Sequence, residues 1–185
     1  MGLDSIELII EFENFFDTPI EDREAEQLRT LQEVVDLISF KRMVTTNRCV
    51  AFNEFSAFIT NQLLQHALLP NNLDHTVDIL PYINLKDKVI VSELQTILEL
   101  EVEVYQPMSF PFWHLISNKK EEYISLSQFV EAMAILNYTQ LYPKKLFASQ
   151  QEIYLSVALL TYHKSGVSVY ELGRDKSFTN DLGID

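Results

Sequence analysis

Apolar side chains recur at spacings of three and four residues in several long stretches of this 185-residue chain. That period matches the turn of an α-helix, whereas the side chains of a half-buried strand alternate at every second residue. The sequence holds only 4 Gly and 6 Pro, so it lacks the frequent turns of a β architecture. Hydrophobic residues make up 47% of the chain, which is enough for packed cores. We therefore predict an all-α fold of one medium or two small domains.

The chain is acidic, with a formal net charge of −13. Negative charge repels phosphate backbones and anionic lipid, so nucleic acid and membrane surfaces are predicted to be poor partners. A basic protein surface is a better one. Acidity also serves solubility, so the charge alone does not distinguish a docking function from a solvated surface.

The single cysteine, Cys49, excludes an intramolecular disulfide and fits a reducing compartment. No apolar run reaches membrane-spanning length. The first residues lack the basic start and the apolar core of a signal peptide. Together these features predict a cytoplasmic protein.

The sequence contains no recognisable arrangement of catalytic or metal-binding residues. No Ser/His/Asp grouping, phosphate-binding glycine loop or HExxH motif is present. The stretches "CVAFNEF" and "KVIVSEL" end like calcium-binding loops, but the preceding loops lack the alternating carboxylates and the central glycine. We therefore expect no metal site and no enzymatic activity. The four histidines also lack ligand spacing: His66, His75, His114 and His163.

Residues 3–40 are predicted to form a long, a short and a medium helix, each with one apolar side. Asp4 or Ser5 can cap the start of the long helix, and Pro19 disfavours helical geometry just after its end. Thr30 is the predicted N-cap of the medium helix. In the long helix the predicted apolar side consists of Ile6, Ile9, Ile10, Phe12 and Phe16, and the opposite side of Glu7, Glu11, Glu13 and Asn14.

The closing segment supplies a fourth helix. Residues 150–164 form an amphipathic pattern through Ile153, Val157 and Leu160, with Leu159 in register. Gly166 is a predicted C-cap, and Gly183 permits a turn that a Cβ atom would hinder. Three amphipathic helices need a fourth to close a bundle, and this segment provides it.

Both ends of the chain resemble the acyl carrier protein family. "GVSVYELGRDKSFTNDLGID", at the C-terminus, resembles the family's first half, including the Asp-Leu-Gly-x-Asp before the modified serine. "LDSIELIIEFENFFDTPIEDREAEQLRTLQEVVDLI", near the N-terminus, resembles its second half: the helix with Glu-Leu, the Phe-Asp-Thr-x-Ile turn, and Thr-x-Gln at the last helix. The order of the halves is reversed, so both termini are expected to cut through the middle of one domain.

The resemblance implies two four-helix carrier-like bundles. Residues 148–185 plus 1–40 would form one, and residues 50–138 a second, degenerate one, with linkers at 41–49 and 139–147. Circular permutation, exchange of halves in a domain-swapped homodimer, or a cut through a tandem array would each give this order. The sequence leaves these three arrangements open.

The middle segment repeats the helix, loop, acidic helix and final helix of the family, with an insertion. Its attachment position would be Lys88, which cannot carry the family's prosthetic group. The insertion "YQPMSFPFWHLI" clusters aromatic residues that form either core or an interface, namely Tyr105, Phe110, Phe112 and Trp113. An unrelated helical domain is the alternative. The predicted helical stripes are Phe55, Ile59 and Leu63; Leu94, Ile97, Leu98 and Val102; and Phe129, Val130 and Met133.

The family carries acyl groups as thioesters on 4'-phosphopantetheine, which is attached to a serine at the start of its second helix. Matching "GLDS" to the family's Gly-x-Asp-Ser makes Ser5 the attachment candidate and Asp4 the aspartate before it. Matching the helix without a gap places the attachment position on Gly2 instead. In that register the serine has been lost and Ser5 has no arm.

The resemblance also implies docking through an acidic helix, for which the candidates are Glu7, Glu11, Glu13 and Asp185. The expected partners are a phosphopantetheinyl transferase and acyl-transferring or condensing enzymes with basic surfaces. Such exposed charges would give weak, fast, salt-sensitive docking. The leading functional prediction is therefore an acyl carrier protein for fatty-acid, polyketide or related biosynthesis. The alternative is an arm-free scaffold protein that keeps the carrier shape and its acidic docking helix.

Overall fold

A computed structural model describes residues 3–70, 74–106 and 123–184, with side chains from Ser5 onward. Within these ranges the chain is all-α, as predicted, and it contains no strand. A 3-10 turn covers Val169–Glu171. The helices are α1 Leu3–Phe16, α2 Asp22–Ala25, α3 Leu31–Lys41, α4 Val50–Gln65, α5 Lys88–Leu98, α6 Leu126–Leu136, α7 Tyr138–Leu141 and α8 Gln150–Ser165.

Helix α8 lies at the centre of the fold and packs against α1, α3, α6 and α7. The predicted one-sided pattern is wrong for the first half of this helix, where every residue from Glu152 to Ala158 is buried. Leu159 and Leu160 are only partly buried. A helix with neighbours on several sides buries more than one stripe. Gly166 ends the helix as predicted, with the left-handed φ of 65° that glycine adopts readily.

The N-terminal and C-terminal segments pack against each other within one chain. The backbone N–H of Gln32 donates to the carbonyl of Arg174 at 2.8 Å, and the N–H of Phe178 donates to the carbonyl of Arg29 at 2.9 Å. Helices α1 and α3 both contact α8. The last forty residues therefore complete the core of the first forty.

The middle segment joins the same core. The predicted stripe on α4 is buried, whereas Ile97 on α5 is only partly buried, and Val102 is buried although it lies beyond the end of α5. Helix α6 packs on α8 and on the turn Val169–Glu171. The buried apolar residues form one continuous cluster. The predicted aromatic residues Phe110, Phe112 and Trp113 lie outside the described residues.

The two segments predicted as linkers carry buried side chains of their own. The Cys49 thiol and the Tyr142 hydroxyl lie 2.9 Å apart, and both residues are buried. The N–H of Gln150 donates to the carbonyl of Thr46 at 2.9 Å. These contacts hold residues 41–49 and 139–147 side by side.

Thr30 caps α3 as predicted. Its hydroxyl accepts from the Glu33 N–H at 3.3 Å, and the Glu33 carboxylate accepts in return from the Thr30 N–H at 3.0 Å. This reciprocal pair is a capping box, which satisfies two backbone donors that the helix leaves free. Ser125 and Gln128 form the same arrangement at the start of α6.

Replacing Thr30 by alanine is expected to lower the free energy of unfolding by about 1 kcal/mol, because the first turn of α3 loses an acceptor. Urea denaturation followed by circular dichroism measures the change. Thr45→Ala, in an exposed loop position, is the matched control and should change stability by less than about 0.5 kcal/mol. Equal effects of the two substitutions would contradict a capping role for Thr30.

Candidate functional site

Helix α1 presents a different face to the core from the one predicted. Leu8, Phe12 and Phe16 are buried, whereas Ile6 and Ile10 are 46% and 48% exposed. Residues four apart lie on one face, and residues two apart point about 200° away from each other. The predicted stripe mixed these two sets. The helix therefore has an apolar core face and a second, solvent-facing apolar pair among its acidic residues.

Ser5 lies in the first turn of α1 and is partly buried. It lines a cleft of about 370 Å³ between α1, the segment after α2 and the C-terminal loop. Both ends of the chain contribute apolar walls to this cleft. The other lining residues are Leu8, Ile9, Phe12, Ala25, Glu26, Leu28, Arg29, Ser177, Phe178, Thr179, Asn180 and Ile184.

The C-terminal wall of the cleft is shaped by local hydrogen bonds. The Ser177 N–H donates to the Asp181 carboxylate at 2.9 Å, and the Ile184 N–H donates to the Phe178 carbonyl at 2.8 Å. Gly183 has a φ of 65°, so the predicted turn is confirmed. Sequence reasoning identified this turn but not Phe178 and Ile184 as walls of a cleft beside Ser5.

Arg174 anchors this C-terminal loop to α3 and α8. Its guanidinium donates to the side-chain oxygens of Gln32 at 3.0 Å and Gln151 at 2.5 Å, and it stacks on the Tyr154 ring at 3.9 Å. The Tyr154 hydroxyl in turn donates to the Glu131 carboxylate at 3.4 Å. Sequence reasoning did not identify this anchor, because its partners lie on α3 and α8, far from Arg174 in the sequence.

Burial raises the pKa of the Glu131 carboxyl above its ordinary value, although the nearby Arg174 charge acts in the opposite direction. A carboxyl whose pKa is higher in the folded than in the unfolded state is stabilising while it is protonated. That contribution is complete below the unfolded pKa and is lost as the pH rises through the folded pKa.

We expect Glu131→Gln, which stays neutral at every pH, to raise the melting temperature at about pH 8 and to leave it unchanged below about pH 4. Thermal unfolding at both pH values measures the difference. Glu54→Gln, at an exposed position on α4, is the control and should shift neither melting temperature. A lower melting temperature of Glu131→Gln at about pH 8 would mean that attraction to Arg174 outweighs the cost of burial.

The predicted docking carboxylates have unequal surroundings. Lys164, on the last turn of α8, lies 2.5 Å from the Glu7 carboxylate and 3.7 Å from that of Glu11. These two side chains remain 47% and 43% exposed. Glu13 accepts from the Ile20 N–H at 2.7 Å and so holds the loop after α1. The side chain of Asp4, and all of Asp185 and Gly2, lie outside the described part of the chain.

Lys88, at the corresponding position of the middle segment, is the first residue of α5 and is exposed. The preceding Asp87 caps this helix by accepting from the Val89 N–H at 2.8 Å. The start of α5 is therefore a capped helix N-terminus that carries an amine at the position predicted for the family's serine.

Within residues 3–70, 74–106 and 123–184, no three His, Cys, Asp or Glu residues are grouped so that they could hold a metal ion. Over the same ranges, every helix is too short or too polar to cross a bilayer.

Comparison with known proteins supports a relation to carrier proteins over part of the chain. Over 37 residues the chain is 50% identical to a protein named acyl carrier protein from Chlorobium phaeobacteroides. The match covers 20% of this chain and 47% of that protein, so the chain spans about half the length of this relative. No protein-family model and no solved structure matches the chain.

Proposed function

We propose that this chain is an acyl carrier, which holds acyl or related intermediates as thioesters on a 4'-phosphopantetheine arm attached to Ser5. The observation that carries the proposal is the position of Ser5 in the first turn of α1, on the wall of a cleft lined by both apolar and polar side chains. The partial likeness to an acyl carrier protein supports it.

The residues around Ser5 fit such an arm. A helix N-terminus has free N–H groups and the positive end of the helix dipole, so it favours a phosphodiester on a first-turn hydroxyl. When bound, the arm supplies the thiol that forms the thioester. The apolar side chains of Leu8, Phe12 and Phe178 offer an alkyl chain a surface shielded from water.

The carrier unit is residues 148–185 followed by 1–40, arranged as a circular permutation within one chain. The backbone hydrogen bonds of Arg29 and Gln32 to the C-terminal loop support this arrangement. The middle segment, 50–138, is a degenerate second unit. Light scattering coupled to size exclusion tests the arrangement, because a permuted chain is a monomer and a swapped one an obligate dimer.

Partner enzymes dock on the exposed side of α1. Ile6 and Ile10 offer an apolar contact there, and Glu7 and Glu11 offer negative charge to a basic enzyme surface. The partners are a phosphopantetheinyl transferase and acyl-transferring or condensing enzymes of the cytoplasm. The chain itself carries the intermediate and does not catalyse its reactions.

Incubation of the purified chain with coenzyme A and a promiscuous phosphopantetheinyl transferase tests the proposal. Intact mass spectrometry should record the gain of one phosphopantetheine, and peptide mapping should place it on Ser5. No gain after complete reaction of a known carrier in the same tube would overturn the proposal.

A second function has an observation of its own in its favour. In the register that places the attachment position on Gly2, Lys88 begins α5 where the middle unit would need a serine, so in that register neither unit has the attachment residue. An arm-free scaffold would use the acidic face of α1 to bind enzymes and would not be modified. The same mass measurement distinguishes the two functions.

A further inference from the structure

Within the described residues, the acidic chain has a local surface that is both basic and apolar. Residues 40–48 and 142–147 contain Lys41, Arg42, Arg48, Lys144 and Lys145 and no acidic residue. The two segments lie side by side, since the Arg42 guanidinium lies 4.9 Å from the centre of the Phe147 ring and Cys49 contacts Tyr142. We call these two segments the basic face.

Three large apolar side chains project from the basic face. Phe40, Met43 and Leu146 are 82%, 88% and 71% exposed, more than any other large apolar side chain in the described part of the chain. Met43 and Lys145 have positive φ angles of 57° and 26°, so tight turns lie at Met43 and just before Leu146. Exposing them to water is unfavourable, and the described part of the chain provides no apolar surroundings for them.

The charges of the basic face are only partly neutralised. Lys41 pairs with Glu24 at 2.6 Å, and Asp17 shares a shallow pocket with Lys41 and Arg42. Arg48, Lys144 and Lys145 are exposed. The Lys145 Nζ atom lies 4.1 Å from the centre of the Phe15 ring. Positive charge therefore surrounds the projecting side chains.

We propose that the basic face binds the surface of an anionic phospholipid bilayer. Phe40, Met43 and Leu146 would enter the boundary between head groups and acyl chains, and the lysines and arginines would contact the phosphates. A bilayer accommodates single projecting side chains, whereas a protein partner needs a continuous surface of roughly 800 Å² on each side. Lysine, which accounts for three of the five cations, is also depleted in the cores of protein interfaces.

The net charge of −13 does not prevent this contact. Phe15 marks the end of α1 nearest the basic face, because Lys145 and Phe147 both contact it. Glu7 lies eight residues earlier, about 12 Å along the helix axis, which exceeds the screening length of about 8 Å at physiological salt. The nearer carboxylates have partners within the chain: Glu11 lies 3.7 Å from Lys164, Glu13 accepts from the Ile20 N–H, Glu24 pairs with Lys41, and Glu152 accepts from the Phe147 N–H. The expectation that anionic lipid is repelled thus applies to the acidic remainder of the surface.

Ser5 lies at the far end of α1, so binding of the basic face to a bilayer does not depend on the proposed arm.

Co-sedimentation of the full chain with vesicles tests the proposal. We expect binding to phosphatidylcholine vesicles that contain phosphatidylglycerol, weaker binding at high salt, and little binding to phosphatidylcholine alone. Lys144→Glu should weaken binding at least about fivefold, while the matched control Lys88→Glu, exposed on α5, should not. The combined variant Phe40→Ser, Met43→Ser and Leu146→Ser should weaken it about a hundredfold or more, with an unchanged circular dichroism spectrum.

Two results would overturn the proposal. One is equal sedimentation of the chain with and without anionic vesicles at low salt. The other is a dimer in light scattering that the combined serine variant makes monomeric, which would assign the basic face to contact between two copies of the chain. Both readouts are independent of modification at Ser5, so the bilayer proposal and the carrier proposal can fail separately.

Discussion

The Ser5→Ala variant is expected to gain no phosphopantetheine under conditions in which the unaltered chain is fully modified. The attachment reaction joins the phosphate of the arm to a hydroxyl oxygen, and alanine has none. Because Ser5 is partly buried on the wall of the cleft and alanine is smaller, the fold should persist. Intact mass spectrometry measures the modification, and circular dichroism verifies the helices.

Ser92→Ala is the matched control for this experiment. Ser92 is exposed on α5, the corresponding helix of the middle segment, and its loss should leave modification complete. Modification of the Ser5→Ala variant at another residue would place the attachment site elsewhere. A folded, unaltered chain that gains no arm would instead favour the scaffold function.

Replacing Phe12 by alanine is expected to lower the free energy of unfolding by about 3 to 5 kcal/mol. The Phe12 side chain is fully buried on the core face of α1 and belongs to the continuous cluster that α8 shares. Its removal loses apolar burial and leaves a cavity that neighbouring helices fill only in part. Urea denaturation of both proteins measures the loss as a lower transition midpoint.

Ile10→Ala provides the control on the same helix. Ile10 is 48% exposed, so its truncation should cost about 1 kcal/mol or less. A larger loss for Ile10→Ala than for Phe12→Ala would mean that α1 packs through the face predicted from sequence. Comparable losses of unfolding free energy for the two variants would mean that both faces of α1 are buried.

The starts and ends of helices were largely predictable because their signals are local. Thr30 and Gly166 act within one turn of their own helix, so a short stretch of sequence contains both partners. Pro19 likewise follows the end of α1. The buried face of α1 was not predictable in the same way. Its sequence offers apolar residues on both sides, and packing against α8 buries Leu8 and Phe12 and leaves Ile6 and Ile10 exposed.

The sequence by itself determined the helical class of the described residues and most helix limits, since each depends on neighbours a few residues apart, and it left the attachment position open between Ser5 and Gly2. Only the tertiary structure decided which residues surround Ser5. Phe178 and Ile184 reach the cleft because the end of the chain packs on its beginning. The basic face likewise joins residues 40–48 to residues 142–147. Contacts across such separations follow from how all the helices share one core, a property that no local pattern contains.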